Sequence, residues 1–244
     1  VLEAVLTHAL GDWSGAPSAE NTGVTAQEDL NAIHVVDFPG SAQSMVMVSR
    51  PVDGTDAKDF FPALVFNRPF SGSFTGRVNM NLREDKGYTY GARGSFSRLR
   101  QAGAYTIYAK VKRDTTRASV DEMIKELGDV TGERPLTQKE LDEGKGGLQK
   151  SFPGRFERMG SVANQLVRLV LDGYSPDWYA AWPNRVKDID LVTAHSMAKK
   201  YTEADKFAII IAGDWAEIGE SLKGLGRPIK IYDAEGNLIP KSSN

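Results

Sequence analysis

"NMNLREDKGYTYGARGSF", Asn79–Phe96, decides the fold. Its start reads as the end of a helix, Gly87 as the stop signal, and "YTYGARGSF" as a strand. The chain therefore turns from helix to strand through one tight corner. Upstream, "SFTGRVNMNLRED" continues the helix, and "DAKDFFPALVFNRPFSG" (Asp56–Gly72) predicts another, with Asp56 as a cap candidate and Pro62 inside it. Downstream, "GAYTIYAKVK" predicts a second strand, because Tyr105, Ile107, Ala109 and Val111 alternate with Thr106, Tyr108 and Lys110.

The rest of the chain extends this pattern. "EAVLTHAL" predicts a short helix, and "GDWSGAPSAENTG" a loop. "AIHVVDF" and "QSMVMVSR" (Gln43–Arg50) predict two strands about "PGSA". Val120, Met123, Ile124, Leu127 and Val130 have helical spacing. Thr137 followed by Glu140 is a capping box. "VANQLVRLVLDG" reads as a helix ending at Gly173, and "DIDLVTAHSMAKKYT" as one capped by Asp188 or Asp190. "KFAIIIAGD" is almost continuously apolar, which suits a strand inside a sheet, and "IKIYDAEGNLI" suits a final hairpin. The order is α+β: a mixed or antiparallel sheet with helices packed on one face. The expected division is an N-terminal helix and linker over 1–30, an α+β domain over 31–225 and a C-terminal hairpin or tail over 226–244.

Composition narrows the function classes. At 41% hydrophobic and 25% charged residues the chain is ordinary for a globular protein, and a net charge of −2 offers no basic face for nucleic acid. No apolar run approaches the roughly 20 residues of a membrane span. Without cysteine there is no disulfide framework and no thiol site, which suits cytosol and periplasm equally. The sequence opens on Val1 with no visible signal peptide, so it reads as processed or as a piece of something longer.

Self-sufficient catalysis finds little support. His8, His34 and His195 lack the close spacing of a zinc site, so no metal is expected in this chain. There is no GxSxG elbow, and "GKGG" (Gly144–Gly147) lacks the P-loop pattern and falls in a helical stretch. Arg83 and Tyr90 remain, on either side of the Gly87 corner. Two readings are open. Arg83 can serve the last helix carbonyls, with Tyr90 a half-buried strand aromatic. Alternatively the rigid guanidinium and the neutral hydroxyl converge as donors on a carbonyl oxygen that gains charge.

The longer string "LVFNRPFSGSFTGRVNMNLREDKGYTYGARGSF" resembles the C-terminal half-domain of M16 metallopeptidases, the pitrilysin, insulinase and mitochondrial processing peptidase family. The matching positions are Asn67, Ser71–Asn79, Leu82, Arg83, Glu84, Gly87 and Tyr90. Weaker likeness extends over about 31–214. Ser71 replaces a usual glycine, and Gly76-Arg77-Val78 a usual Ser-Arg-Leu. The family's HxxEH motif is absent. The resemblance implies a half without metal ligands that closes a chamber over a peptide substrate, with zinc in an HxxEH-bearing partner half, fused or separate. It implies that Arg83 and Tyr90 reach the scissile carbonyl, with Tyr88 a second-ranked contact. The alternative it leaves is an M16-like structural or peptide-binding scaffold without peptidase activity. Extended substrates commonly add to a sheet edge, and the sequence does not say which edge is free.

Overall fold

The computed structural model describes residues 2–15, 30–54, 58–98 and 102–240. A six-stranded sheet is built from β1 (Ile33–Asp37), β2 (Gln43–Asp53), β3 (Thr89–Arg98), β4 (Ala102–Lys112), β5 (Ala208–Gly213) and β6 (Ile229–Tyr232). Their spatial order is β3-β4-β2-β5-β1-β6. β3, β4, β2 and β5 pair antiparallel, and β1 runs parallel to both β5 and β6. The sheet is mixed, and β5 is interior, in keeping with its apolar run. β2 continues through Pro51, past the last residue paired to β5, where the missing N–H interrupts no ladder on that side. β6 lies in the stretch set apart as a C-terminal hairpin or tail. It joins the sheet beside β1 and turns back in an antiparallel bridge from Tyr232 to Leu238.

One face of the sheet carries the core. Ile33, Val35, Val46, Val48, Ala92, Tyr105, Ile107, Ala109, Val111, Ile209 and Ile211 are buried against helices. These are α2 (Phe60–Phe70), α3 (Arg77–Asn79), α4 (Thr116–Asp129), α8 (Leu191–Tyr201) and α9 (Trp215–Lys223). The opposite face stays open: Met45 and Tyr108 are exposed, and Met47 and Ile210 are only half-buried. A second, smaller core joins α2, α5 (Gln138–Ser151), α7 (Trp178–Lys187) and α8 through Phe61, Val65, Leu141, Leu148, Trp182, Val186 and Ala194. Gly144 of the "GKGG" string lets α5 approach α2; a Cβ there would stand 2.9 Å from Pro69 Cδ. α1 (Leu2–Leu10) and α6 (Met159–Asp172) contribute to neither core.

Local signals behave as their chemistry requires. Thr137 and Glu140 form a reciprocal capping box, Asp190 accepts the Thr193 N–H at 2.8 Å, and Gly173 ends α6 with φ +71°. Asp56 lies outside the described residues. α2 starts at Phe60, with Asp59 at the cap position and no side-chain cap bond. Pro62 falls in the first turn, where its missing N–H costs no helical bond. α7 and α9 go beyond the helices expected from sequence.

Arg77, in the altered Ser-Arg-Leu segment, ties α3 to the start of α5. Its Nε and Nη2 meet the two Glu140 carboxylate oxygens at 2.6 and 2.7 Å, and Nη1 donates to the Arg134 carbonyl. Burial pushes the Glu140 carboxyl up, but the Arg77 guanidinium and the Thr137 amide and hydroxyl outweigh it, holding it down at about 2 against an ordinary 4.5. The folded value is the lower one, so this stabilisation is complete above the unfolded value and is lost as pH falls toward the folded one. Glu140→Gln is expected to cost about 1–3 kcal/mol at neutral pH. Urea melts should show the gap to wild type closing near pH 2. A gap that persists there would mean that Glu140 acts through packing rather than charge.

Candidate functional site

The helix that enters the corner widens before it ends. After α3, residues Met80–Asp85 form a π-helical segment, where the sequence predicts one helix running to the Gly87 stop. Widened turns of this kind bring side chains out of helical register and recur at functional sites. Backbone amides close the segment: Lys86 N–H bonds Asn81 C=O at 3.0 Å, Gly87 N–H bonds Arg83 C=O at 3.2 Å and Tyr88 N–H bonds Leu82 C=O at 2.9 Å. Gly87 makes the reversal at φ +66°, a conformation that penalises a Cβ.

Those bonds serve the carbonyls of residues 81–83, and among the described residues the Arg83 side chain donates to no helix carbonyl. Its guanidinium instead lies over the Phe74 ring, 4.3 Å from the centroid, with Nε 3.3 Å from Glu84. About a third of the side chain remains exposed. Tyr90 is not half-buried: it is 93% exposed. The half-buried aromatic is Tyr88, which packs against the main core. Arg83 and Tyr90 thus share one corner, but no hydrogen bond or ring contact joins them among the described residues.

A β-bulge explains the exposure of Tyr90. Thr89 pairs with Val111 and Ala92 with Ala109, so Tyr90 and Gly91 together oppose the single residue Lys110. The bulge is held by side chains. Thr89 Oγ1 donates to Lys110 C=O at 2.6 Å and accepts the Gly91 N–H at 3.1 Å. Asn79 Oδ1 accepts the Ala92 N–H at 2.8 Å, while its Nδ2 donates to Phe74 C=O at 2.5 Å. One buried amide therefore fixes both the bulge that presents Tyr90 and the loop whose ring lies under Arg83. The widened segment is tied to α4: Asn81 Nδ2 reaches Glu122 at 2.9 Å and Glu126 at 2.8 Å, and Lys86 reaches Glu122 at 3.0 Å. Burial pushes the Glu122 carboxyl up, but the Asn81 amide and the Lys86 ammonium outweigh it and keep it below its ordinary range. Sequence reasoning gives Asn79 no role beyond a matching position and passes over Asn81. The signal for them is two amides on an otherwise apolar helical stretch.

The outer edge of β3 is closed beside the corner. Gly94 N–H bonds Ser71 C=O at 2.8 Å, Asn67 Nδ2 donates to Gly94 C=O at 2.9 Å, and Asn79 already holds Ala92. A Cβ on Gly94 would meet Ser71 Oγ at 1.9 Å, so only glycine allows this approach. Ser71, in place of the glycine usual in the resemblance, also bonds Asn67 Oδ1 and the Tyr105 hydroxyl, at 2.6 and 2.9 Å. An extended peptide cannot add a strand along Ala92–Gly94. Among the described residues, no group of three or more His, Asp or Glu side chains is set to hold a metal. No helix there is long and apolar enough to cross a membrane.

Comparison with known proteins agrees with this architecture. The model of the peptidase M16 inactive domain matches residues 1–148. No curated protein matches the sequence. Among solved structures, the peptidase M16 inactive domain from Pseudomonas fluorescens has a TM-score of 0.76 at 20% identity, over 87% of this chain and 50% of that one. A protease from Helicobacter pylori has a TM-score of 0.68 at 14% identity, over 86% and 52%. A chain of complex III2 from Candida albicans has 0.65 at 9%, over 80% and 49%. The chain spans about half the length of these three, and at such identities the likeness is one of fold.

Proposed function

Because the chain belongs to the M16 peptidase family as its inactive domain, we propose that it closes the chamber of a zinc metalloendopeptidase over a peptide. In this reading Arg83 and Tyr90 bind the scissile carbonyl. One observation carries it: Tyr90 stands almost fully exposed on a buttressed bulge, with no partner of its own among the described residues, at the same corner as a guanidinium that donates to no helix carbonyl there. An exposed aromatic held this firmly is organised for something outside the domain. The guanidinium and the phenol donate to the carbonyl oxygen, and both bonds strengthen as negative charge develops on it. The HxxEH-bearing half supplies the zinc and the attacking water; this chain supplies donors and water exclusion. The open face of the sheet, with Met45 and Tyr108, suits a chamber wall. Tyr88, half-buried against the core, has a supporting place beside the peptide.

Reconstitution tests this. The isolated chain, freed of chelator, is expected to hold no stoichiometric zinc by elemental analysis and to hydrolyse no peptide. Adding the HxxEH-bearing half from the same source should start hydrolysis. One tight zinc per chain would overturn the reading, and so would a zinc half fully active alone on the same peptides.

A further inference from the structure

The open face of the sheet carries charge of one sign beside Tyr90. Strand alternation sends Arg93, Lys110 and Lys112 to that face, since their neighbours Ala92, Ala109 and Val111 are buried in the core. All three cations are exposed. Lys110 opposes Tyr90 and Gly91 across the bulge. Lys112 follows on β4, and Arg93 opposes Tyr108 on the other side of Lys110. Successive cations in this row stand about 7–8 Å apart, so they repel one another. Among the described residues none of the three has a carboxylate partner. Arg77, Arg98, Arg117 and Lys200, by contrast, all pair with acids. The carboxylate that alternation places on this face, Asp53, lies at the far end of β2 and pairs with Lys200 at 3.5 Å. It is roughly 25 Å from Lys110 along the strands, well beyond the screening length of about 8 Å. The whole sequence balances 30 Lys and Arg against 32 Asp and Glu. A surface that needs only solubility intersperses both signs. Met45, Met47 and Tyr108 add an apolar floor next to the cations.

We propose that Arg93, Lys110 and Lys112 form a subsite that selects acidic peptides, receiving Asp or Glu side chains close to the scissile bond. The inference rests on the reading that Tyr90 holds the scissile carbonyl. Charge complementarity selects the occupant. Cations without partners of their own, set in a chamber wall that excludes water, attract carboxylates more strongly than in bulk solvent. The sheet geometry selects the position. From Tyr90 to Arg93 or Lys112 is roughly 8–10 Å, about three residues of extended chain at ~3.3 Å each. An acidic side chain that near the cleaved bond meets at least one of the cations, while its apolar neighbours rest on the methionines and Tyr108.

Two peptides test the subsite with the chain assembled on the HxxEH-bearing half. One carries Glu close to the cleaved bond on both sides, the other Gln in the same places, and both are blocked at their termini so that no end charge contributes. The Glu peptide is expected to have a kcat/KM about 10–100-fold higher. That advantage should shrink as salt approaches about 1 M, where the screening length falls to about 3 Å. Lys110→Glu with Lys112→Glu should reverse the preference, and Lys110→Arg with Lys112→Arg should keep it. Both side chains are exposed, so these variants should melt as wild type does. Equal rates for the two peptides, or a preference that survives charge reversal or high salt, would overturn the proposal. Calorimetric binding of the same peptides to the chain alone keeps the two readings apart. Tighter binding of the Glu peptide that charge reversal abolishes, with hydrolysis indifferent to Tyr90→Phe, keeps the acid-binding face and removes carbonyl binding. Hydrolysis that needs Tyr90 but ignores peptide charge removes the subsite and leaves carbonyl binding. If no peptide is hydrolysed, equal binding of the two overturns the proposal.

Discussion

Tyr90→Phe in the assembled enzyme is expected to lower kcat/KM by about 10²–10³-fold, equivalent to about 2.7–4 kcal/mol of transition-state stabilisation. The change removes one hydroxyl and keeps the ring. Because Tyr90 is 93% exposed and unpaired in the free chain, its hydroxyl contributes nothing to folding and the melting temperature should not move. Arg83→Ala should lower kcat/KM to a similar degree. It also gives up the stack on Phe74 and the Glu84 contact, so a stability loss of about 0.5–1 kcal/mol accompanies it. Tyr88→Phe is the control. Its half-buried ring packs against the core and stays, and its hydroxyl is the only loss, so turnover should be close to wild type. Steady-state kinetics beside thermal melts decide the matter. Normal turnover in both Tyr90→Phe and Arg83→Ala would remove the catalytic role and leave the scaffold reading. Loss of turnover in Tyr88→Phe alone would move the donor two residues upstream.

The largest expected effect on folding lies elsewhere, at Asp59. Arg98 at the end of β3 is almost wholly buried, with 2% of its side chain exposed. Both of its terminal nitrogens lie 3.1 Å from Asp59 Oδ1, and Nη2 also reaches the Tyr201 hydroxyl at 3.2 Å. The other carboxylate oxygen accepts from Tyr201 at 2.5 Å and Lys200 at 2.6 Å. Removing the carboxylate leaves a guanidinium and an ammonium facing each other, one of them out of water. Asp59→Ala is expected to cost about 3–5 kcal/mol. Burial pushes the Asp59 carboxyl up, but the bonds from Lys200 and Tyr201 and the Arg98 charge outweigh it, so the folded value is the lower one. The stabilisation is therefore complete above the ordinary Asp range and lost as pH falls below it. Urea melts should show the gap between variant and wild type narrowing as the solution is acidified through pH 4. A cost under about 1 kcal/mol at neutral pH would mean that water re-solvates the arginine, contrary to its burial. The cluster matters to the candidate site because it anchors the far end of β3, the strand that carries Tyr90 at its start.

What was legible in the sequence is what residues a few positions apart decide among themselves. The alternation of Tyr105, Ile107, Ala109 and Val111 specifies a strand with one buried face, because successive side chains must point to opposite sides. Thr137 and Glu140 close a capping box within one turn, and Gly87 and Gly173 stop their helices because a Cβ is penalised at positive φ. The family motif around Arg83, Gly87 and Tyr90 is equally local. Tertiary structure decided everything that joins distant segments. α7 carries Pro183 in its interior and is helical because Trp182 and Val186 bury against Phe61. Tyr90 is exposed rather than half-buried because a bulge breaks the strand's alternation, and that bulge depends on Asn79, which bonds Ala92 across 13 positions. Asp59 meets Arg98 across 39 positions and Tyr201 across 142. The periodicity of α6 declares a helix with an apolar stripe. Only packing shows that Met159, Leu166, Val170 and Leu171 of that stripe are exposed, because periodicity records which residues share a side and not what lies against it.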